Sequence, residues 1–142
     1  MTRIDFYFNV ANKPRQLVEL AALALPRQRR LFVLAPDAEA AEQFESILWS
    51  APPTGFLPHC RASHRLVAET PIVIDWSENT PPHDDILVNL RPQQPSHFSR
   101  FRGLIELVGL DEDDRAAARA RFRFYRDRGY EIHSHDVSGG HA

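Results

Sequence analysis

Short apolar runs alternate along this chain with longer stretches in which apolar side chains recur every three or four positions. Residues 4–9 carry Ile4, Phe6, Tyr7 and Phe8, which fill both faces of an extended segment and predict a strand covered on both sides, central in its sheet. Pro14 then suits the first turn of a helix that buries Leu17, Val18, Leu20, Ala21 and Ala24 and stops at Pro26. Residues 31–35 are a second buried strand. Pro36 and Asp37 start a second helix with Ala40, Ala41, Phe44, Ile47 and Leu48 turned inward and Trp49 at its end. A turn-rich loop over residues 50–55 delivers Phe56, and residues 60–70 read as irregular or partly helical. Strands are expected at 71–75, 84–90 and 104–108, with a short helix near 96–102, and residues 130–133 return to the sheet after a third, longer helix. Strand and helix in turn is the rhythm of an α/β sheet. With no repeat and no linker to divide it, the chain is expected to form one domain over residues 1–137, followed by a flexible tail at 138–142.

The most regular stretch is residues 111–129. Asp111, Glu112, Asp113 and Asp114 precede good helix formers, and Asp111 with Asp114 three positions on resembles a capping box, while Gly129 sits where a helix C-cap belongs. Arg115, Arg119, Arg123 and Arg126 recur at spacings of three and four, with Arg121 and Arg128 beside them. Acidic at its start and basic at its end, the helix matches its own dipole. Ala117, Ala120 and Phe124 make a narrow stripe expected to face the core. Arg119, Phe122, Arg123 and Arg126 make a neighbouring stripe that mixes charge with an aromatic ring. That stripe is either a working surface or a solvated basic face.

Composition narrows the choice. At 142 residues the chain is long enough to bury roughly two thirds of its unfolded surface. A net charge of −2 argues against a protein that coats nucleic acid or an anionic membrane, so any basic function is local. The single cysteine, Cys60, allows no internal disulfide and no multi-cysteine metal site. No run approaches the roughly 18 apolar residues of a membrane helix, and the first residues lack the basic and apolar regions of a signal peptide, so a soluble, cytoplasmic protein is expected. The turn after the first strand, residues 9–14, holds no glycine, so neither a dinucleotide fingerprint nor a phosphate loop is there. His133 and His135 share one face of a strand, but no third ligand is identifiable, and no serine or cysteine lies in a nucleophile elbow. Neither catalysis, a cofactor nor a metal is expected. A nucleotide- or nucleic-acid-binding α/β enzyme that uses the sheet crevice and the basic helix is the competing reading, weakened by the missing phosphate cradle. Arginine beside aromatic rings instead suits a carboxylate joined to an apolar group, because the planar guanidinium donates two hydrogen bonds at once.

Several blocks stand in one order: Phe6, Tyr7 and Phe8; Leu48 and Trp49 with Phe56, Leu57, Pro58 and His59; residues 85–90; and residues 118–130. In that order they resemble the chi subunit family of bacterial DNA polymerase III, part of the clamp-loader assembly, over nearly the whole chain. The resemblance implies a single three-layer α/β/α domain with a mostly parallel sheet, Rossmann-like but without a nucleotide-binding motif, and no catalysis. It implies a replisome adaptor in DNA replication. Such an adaptor binds the acidic, phenylalanine-terminated C-terminal tail of single-stranded DNA-binding protein, and joins the clamp loader through the psi subunit or another component. Direct DNA binding and membrane contact are not expected. By position, the resemblance assigns Arg119, Phe122 and Arg123 to the basic and aromatic part of the tail site, and Trp49, Phe56 and Val108 to its apolar contacts. Relatives carry tyrosine and lysine where this chain has Phe122 and Arg123, so charge and ring are kept and a hydroxyl is lost. The psi contact matches no compact motif here.

Overall fold

Side chains that alternate across short strands build two cores, one on each face of a single sheet. The computed structural model describes residues 2–24, 27–50, 59–61, 72–76 and 84–137, with side chains described for all of these except 47–50 and 59–61. The elements in order are β1 (Arg3–Val10), α1 (Lys13–Ala24), β2 (Leu31–Leu34), α2 (Ala38–Ser50), β3 (His59–Arg61), β4 (Ile72–Asp75), β5 (Ile86–Asn89), β6 (Gly103–Gly109), α3 (Glu112–Asp127) and β7 (Ile132–Asp136). The strands lie in the order β3-β4-β2-β5-β6-β1-β7, and every neighbouring pair is parallel.

On one face Leu17, Leu20 and Ala21 of α1 and Ala41 and Phe44 of α2 pack over Leu31, Val33, Ile72, Ile74, Val88 and Leu107. On the other, Ala118 and Tyr125 of α3 cover Ile4, Phe6, Phe32, Leu34, Val73, Leu87, Leu104 and Val108, with Phe122 and Phe124 packed at the margin. Successive residues of β2 thus serve opposite cores, which is why its sequence is apolar without a break. The result is the expected three-layer α/β/α arrangement. Each fully buried leucine, isoleucine or phenylalanine contributes about 1.5–3 kcal/mol. The helix starts follow local chemistry: Asn12 Oδ1 accepts the Arg15 N–H at 3.1 Å, and Asp37 Oδ1 accepts the Ala40 N–H at 2.8 Å.

The structure departs from the sequence expectations at five points. β1 is internal rather than central, with only β7 between it and the edge. Cys60, assigned to an irregular stretch, lies in β3, a three-residue edge strand too short to leave a periodic signal. The helix expected near 96–102 is a single 3-10 turn, Phe98–Arg100, cut short because Phe101 returns to extended backbone. Asp111 is the N-cap of α3, but its side chain makes no capping hydrogen bond, so the capping box does not form. Finally, α3 is rolled from its expected face. Its buried residues are Ala118, Arg121 and Tyr125, while Ala120 is exposed and Ala117 only half-buried.

That roll has an electrostatic cause. Glu106 of β6 is fully buried beneath the helix and demands donors. Arg121 Nε donates to its Oε1 at 3.0 Å, the Tyr125 hydroxyl to its Oε2 at 2.6 Å, and Asn89 Nδ2 to both oxygens at 3.0 and 3.2 Å. Arg121 Nη1 also donates to the Pro92 carbonyl at 2.8 Å, which ties the loop after β5 to the same cluster. Burial pushes the Glu106 carboxyl up to about 7, against the opposing pull of Arg121 and the hydrogen bonds. Expected features that fall on Pro26, on residues 51–58, 62–71 and 77–83, and on the tail at 138–142 lie outside the described residues.

Candidate functional site

At the carboxyl ends of β1, β6 and β7, where α3 begins, described residues line an open-sided cavity of about 350 Å³. Its walls are Phe8, Asn9, Val108, Arg115, Arg119 and Asp136. Ligands of open α/β sheets gather at this end of the strands because the connecting segments diverge there. β6 stops at Gly109, and a tight junction fixes α3 above it. Asp114 Oδ2 accepts the Gly109 N–H at 2.6 Å and pairs with Lys13 Nζ at 2.8 Å, so one carboxylate joins the end of β6, the start of α1 and the first turn of α3. A Cβ on residue 109 would lie 3.0 Å from that carboxylate oxygen, which accounts for glycine there. Burial alone would raise the Asp114 carboxyl, but the Lys13 and Gly109 hydrogen bonds outweigh it and hold the group below its ordinary value.

Two arginines stand over an apolar floor. Arg115 Nη2 donates to Asn9 Oδ1 at 2.8 Å, and Asn9 Nδ2 donates in turn to Asp136 Oδ1 at 3.0 Å. One turn along α3, Arg119 Nη2 donates to Glu112 Oε1 at 2.9 Å, both groups standing well out in solvent. Arg119 thereby holds the Glu112 carboxyl below its ordinary value. Such an exposed pair is weak and easily exchanged for an incoming carboxylate.

Of the residues assigned from sequence, Val108 and Arg119 meet in this cavity. Val108 is almost wholly buried, so it offers an edge rather than a face. Phe122 is half-buried, its ring 5.4 Å from that of Phe6 and tilted by 57°. Arg123, one turn beyond Arg119, is exposed and is not part of the cavity wall. Trp49 lies in the last turn of α2, a helix that packs against β3 and β4 on the sheet face opposite α3. Its side chain, like all of Phe56, lies outside the described residues. Sequence reading missed Phe8, Asn9, Arg115 and Asp136 as site residues. Arg115 was visible in the arginine repeat, but nothing in the sequence tells that β1 and β7 lie side by side.

His133 and His135 take carboxylate partners, Glu131 at 3.0 Å and Asp5 at 2.9 Å, and the His135 ring stacks on Tyr7 at 4.6 Å. Burial first and then Asp5 raise the Tyr7 hydroxyl. Among the described residues no group of three histidines, cysteines or acids is placed to hold a metal. No described helix is long and apolar enough to cross a membrane.

A family model described as DNA polymerase III chi subunit, HolC, matches residues 1–133. The chain belongs to the chi family. The DNA polymerase III subunit chi of Pseudomonas aeruginosa is 32% identical over 139 residues, which cover 95% of this chain and 96% of that protein. Those of Escherichia coli and Haemophilus influenzae are each 26% identical, over 121 and 138 residues. The first of these two alignments spans 84% of this chain and 82% of the relative, the second 94% and 96%. Membership of the chi family places the chain with DNA polymerase III in DNA replication.

Proposed function

We propose that this chain is a non-catalytic adaptor of the replisome that binds the acidic C-terminal tail of single-stranded DNA-binding protein. It carries that tail to the clamp loader, through a psi subunit or another clamp-loader component, in the cytoplasm. The observation that carries the reading is the cavity at the start of α3, where Phe8 and Val108 form an apolar floor beneath Arg115 and Arg119. A terminal phenylalanine presents a ring and a carboxylate on one residue, and this arrangement answers both at once. The volume suits one side chain and its carboxylate, at the small end of the roughly 300–1,000 Å³ typical of ligand sites. Arg123, next along the exposed side of α3, meets the acidic residues upstream, and Phe122 supplies the edge of a ring between them.

The reading also assigns Trp49 and Phe56 to the apolar contacts. Their alanine variants test that assignment separately, because α2 carries Trp49 on the sheet layer opposite α3. The function as a whole is tested by titrating the protein with a fluorescein-labelled acidic peptide ending in Pro-Phe and, separately, with labelled single-stranded DNA. Saturable peptide binding with no comparable DNA binding is expected. DNA binding without peptide binding would make this a nucleic-acid-binding protein instead.

A further inference from the structure

We infer that Asn9 is a positioning residue that holds the Arg115 guanidinium in the cavity and keeps it out of a direct ion pair with Asp136. The use made of that arginine rests on the peptide-binding role proposed above. Asn9 is one of two non-glycine residues with positive φ among the described residues, at 61°. It stands at the end of β1, where the register with β6 slips between Tyr7 and Val10. Asparagine tolerates that left-handed backbone better than most residues.

The orientation of the amide follows from its partners. A guanidinium only donates and a carboxylate only accepts, so Oδ1 faces Arg115 and Nδ2 faces Asp136. Arg115 and Asp136 line the same small cavity. Without a neutral group between them, opposite charges at such range would close on each other, and the cation would be spent inside the protein. The amide gives each charge one good hydrogen bond and stands where a direct ion pair would otherwise form. An incoming carboxylate therefore meets a cation that is aimed and not closed onto Asp136, although the exposed Glu112 carboxylate also feels its charge. Asp136 also ties the device to β7, so the last strand of the sheet helps to shape a pocket otherwise built from β1, β6 and α3.

The test uses Asn9→Gly, Asn9→Asp, Arg115→Ala and the Asn9→Gly/Arg115→Ala double variant. Glycine accepts the positive φ, so Asn9→Gly removes the amide without straining the backbone, and thermal unfolding checks that it remains folded. With the labelled acidic peptide, Arg115→Ala should bind about tenfold and Asn9→Gly about fivefold more weakly than the wild type. Asn9→Gly should add nothing once Arg115 is gone. Asn9→Asp, which places a carboxylate on the arginine, should bind more weakly than Asn9→Gly. Unchanged affinity in Asn9→Gly, or the same loss with and without Arg115, would overturn the inference. A second readout needs no peptide. The Arg115 Nη–H signals, assigned by their absence in Arg115→Ala, should include a resolved, slowly exchanging proton held on Asn9 in the wild type and should move to the position of solvent-exposed arginines in Asn9→Gly. If the wild type binds no peptide, that shift still decides whether Asn9 positions Arg115, and an unmoved resonance overturns the inference.

Discussion

Glu106 and Arg121 have surroundings that their sequence neighbours do not suggest. The carboxylate is buried with three donors aimed at it, so removing one is costly. Arg121→Ala is expected to lower the unfolding free energy by about 3–5 kcal/mol at pH values well above about 7, measured by urea denaturation, because there it leaves a buried charge without its partner. The loss should shrink in acid, where Glu106 takes up a proton. In the intact protein burial raises the Glu106 carboxyl from 4.5 to about 7. A raised folded-state value means that its contribution is complete below about pH 4.5 and is lost as the pH rises through about 7. The stability of the wild type minus that of Glu106→Gln should therefore decline by roughly a few kcal/mol across that window, and a flat difference would contradict this account. Arg121 stands among arginines at 119, 123, 126 and 128, and from its sequence neighbours it looks like one more surface cation. The available signal was Glu106, an acid inside the apolar run Leu104 to Val108, which asks for an inward-facing partner on whatever covers it.

At the scale of the element, α3 shows what local chemistry specifies and what it leaves open. Its end is written in Gly129. The Gly129 N–H donates to the Arg126 carbonyl at 3.0 Å and the Tyr130 N–H to that of Tyr125 at 3.2 Å, the paired bonds of a Schellman motif, with φ at 84°. A Cβ there would meet nothing within 4 Å. Gly129→Ala should therefore cost about 1–2 kcal/mol through backbone strain alone, seen as a lower urea midpoint, and leave peptide affinity unchanged. A binding defect in that folded variant would mean that the C-terminal turn takes part in the site. The helix limits were legible because caps and breakers act within a turn. Its roll was not, because Ala117, Ala118 and Ala120 offer the core nearly equivalent small faces. A charge on β6 and the ring of Tyr125, 6.0 Å from that of Phe6 and 5.0 Å from that of Phe98, settle it instead.

For the whole molecule, the alternation of buried runs with amphipathic stretches was enough to foresee an α/β domain, and strand order was not. Asn9 and Asp136 are 127 positions apart, and they touch only because β7 adds to the sheet beside β1. Parallel pairing then brings the carboxyl ends of β1, β6 and β7 to one edge, beside the acidic and arginine-bearing first turns of α3. The site is basic within a chain of net charge −2, so its attraction for an acidic peptide is local and should weaken as salt rises from about 0.05 to 0.3 M. The most direct test of the central claim is fluorescence anisotropy of the labelled Pro-Phe peptide at those two salt concentrations, with Arg119→Ala, Arg123→Ala and Arg27→Ala compared after each is confirmed folded. Arg119 lines the cavity at the carboxyl ends of the strands, whereas Arg27 is exposed in the turn that leads into the amino end of β2, an internal strand. The account predicts a loss of about tenfold or more for Arg119→Ala, a comparable loss for Arg123→Ala, and near wild-type affinity for Arg27→Ala. Equal affinities for all three variants would show that the arginines of α3 are solvated surface and that the cavity is not where the peptide binds.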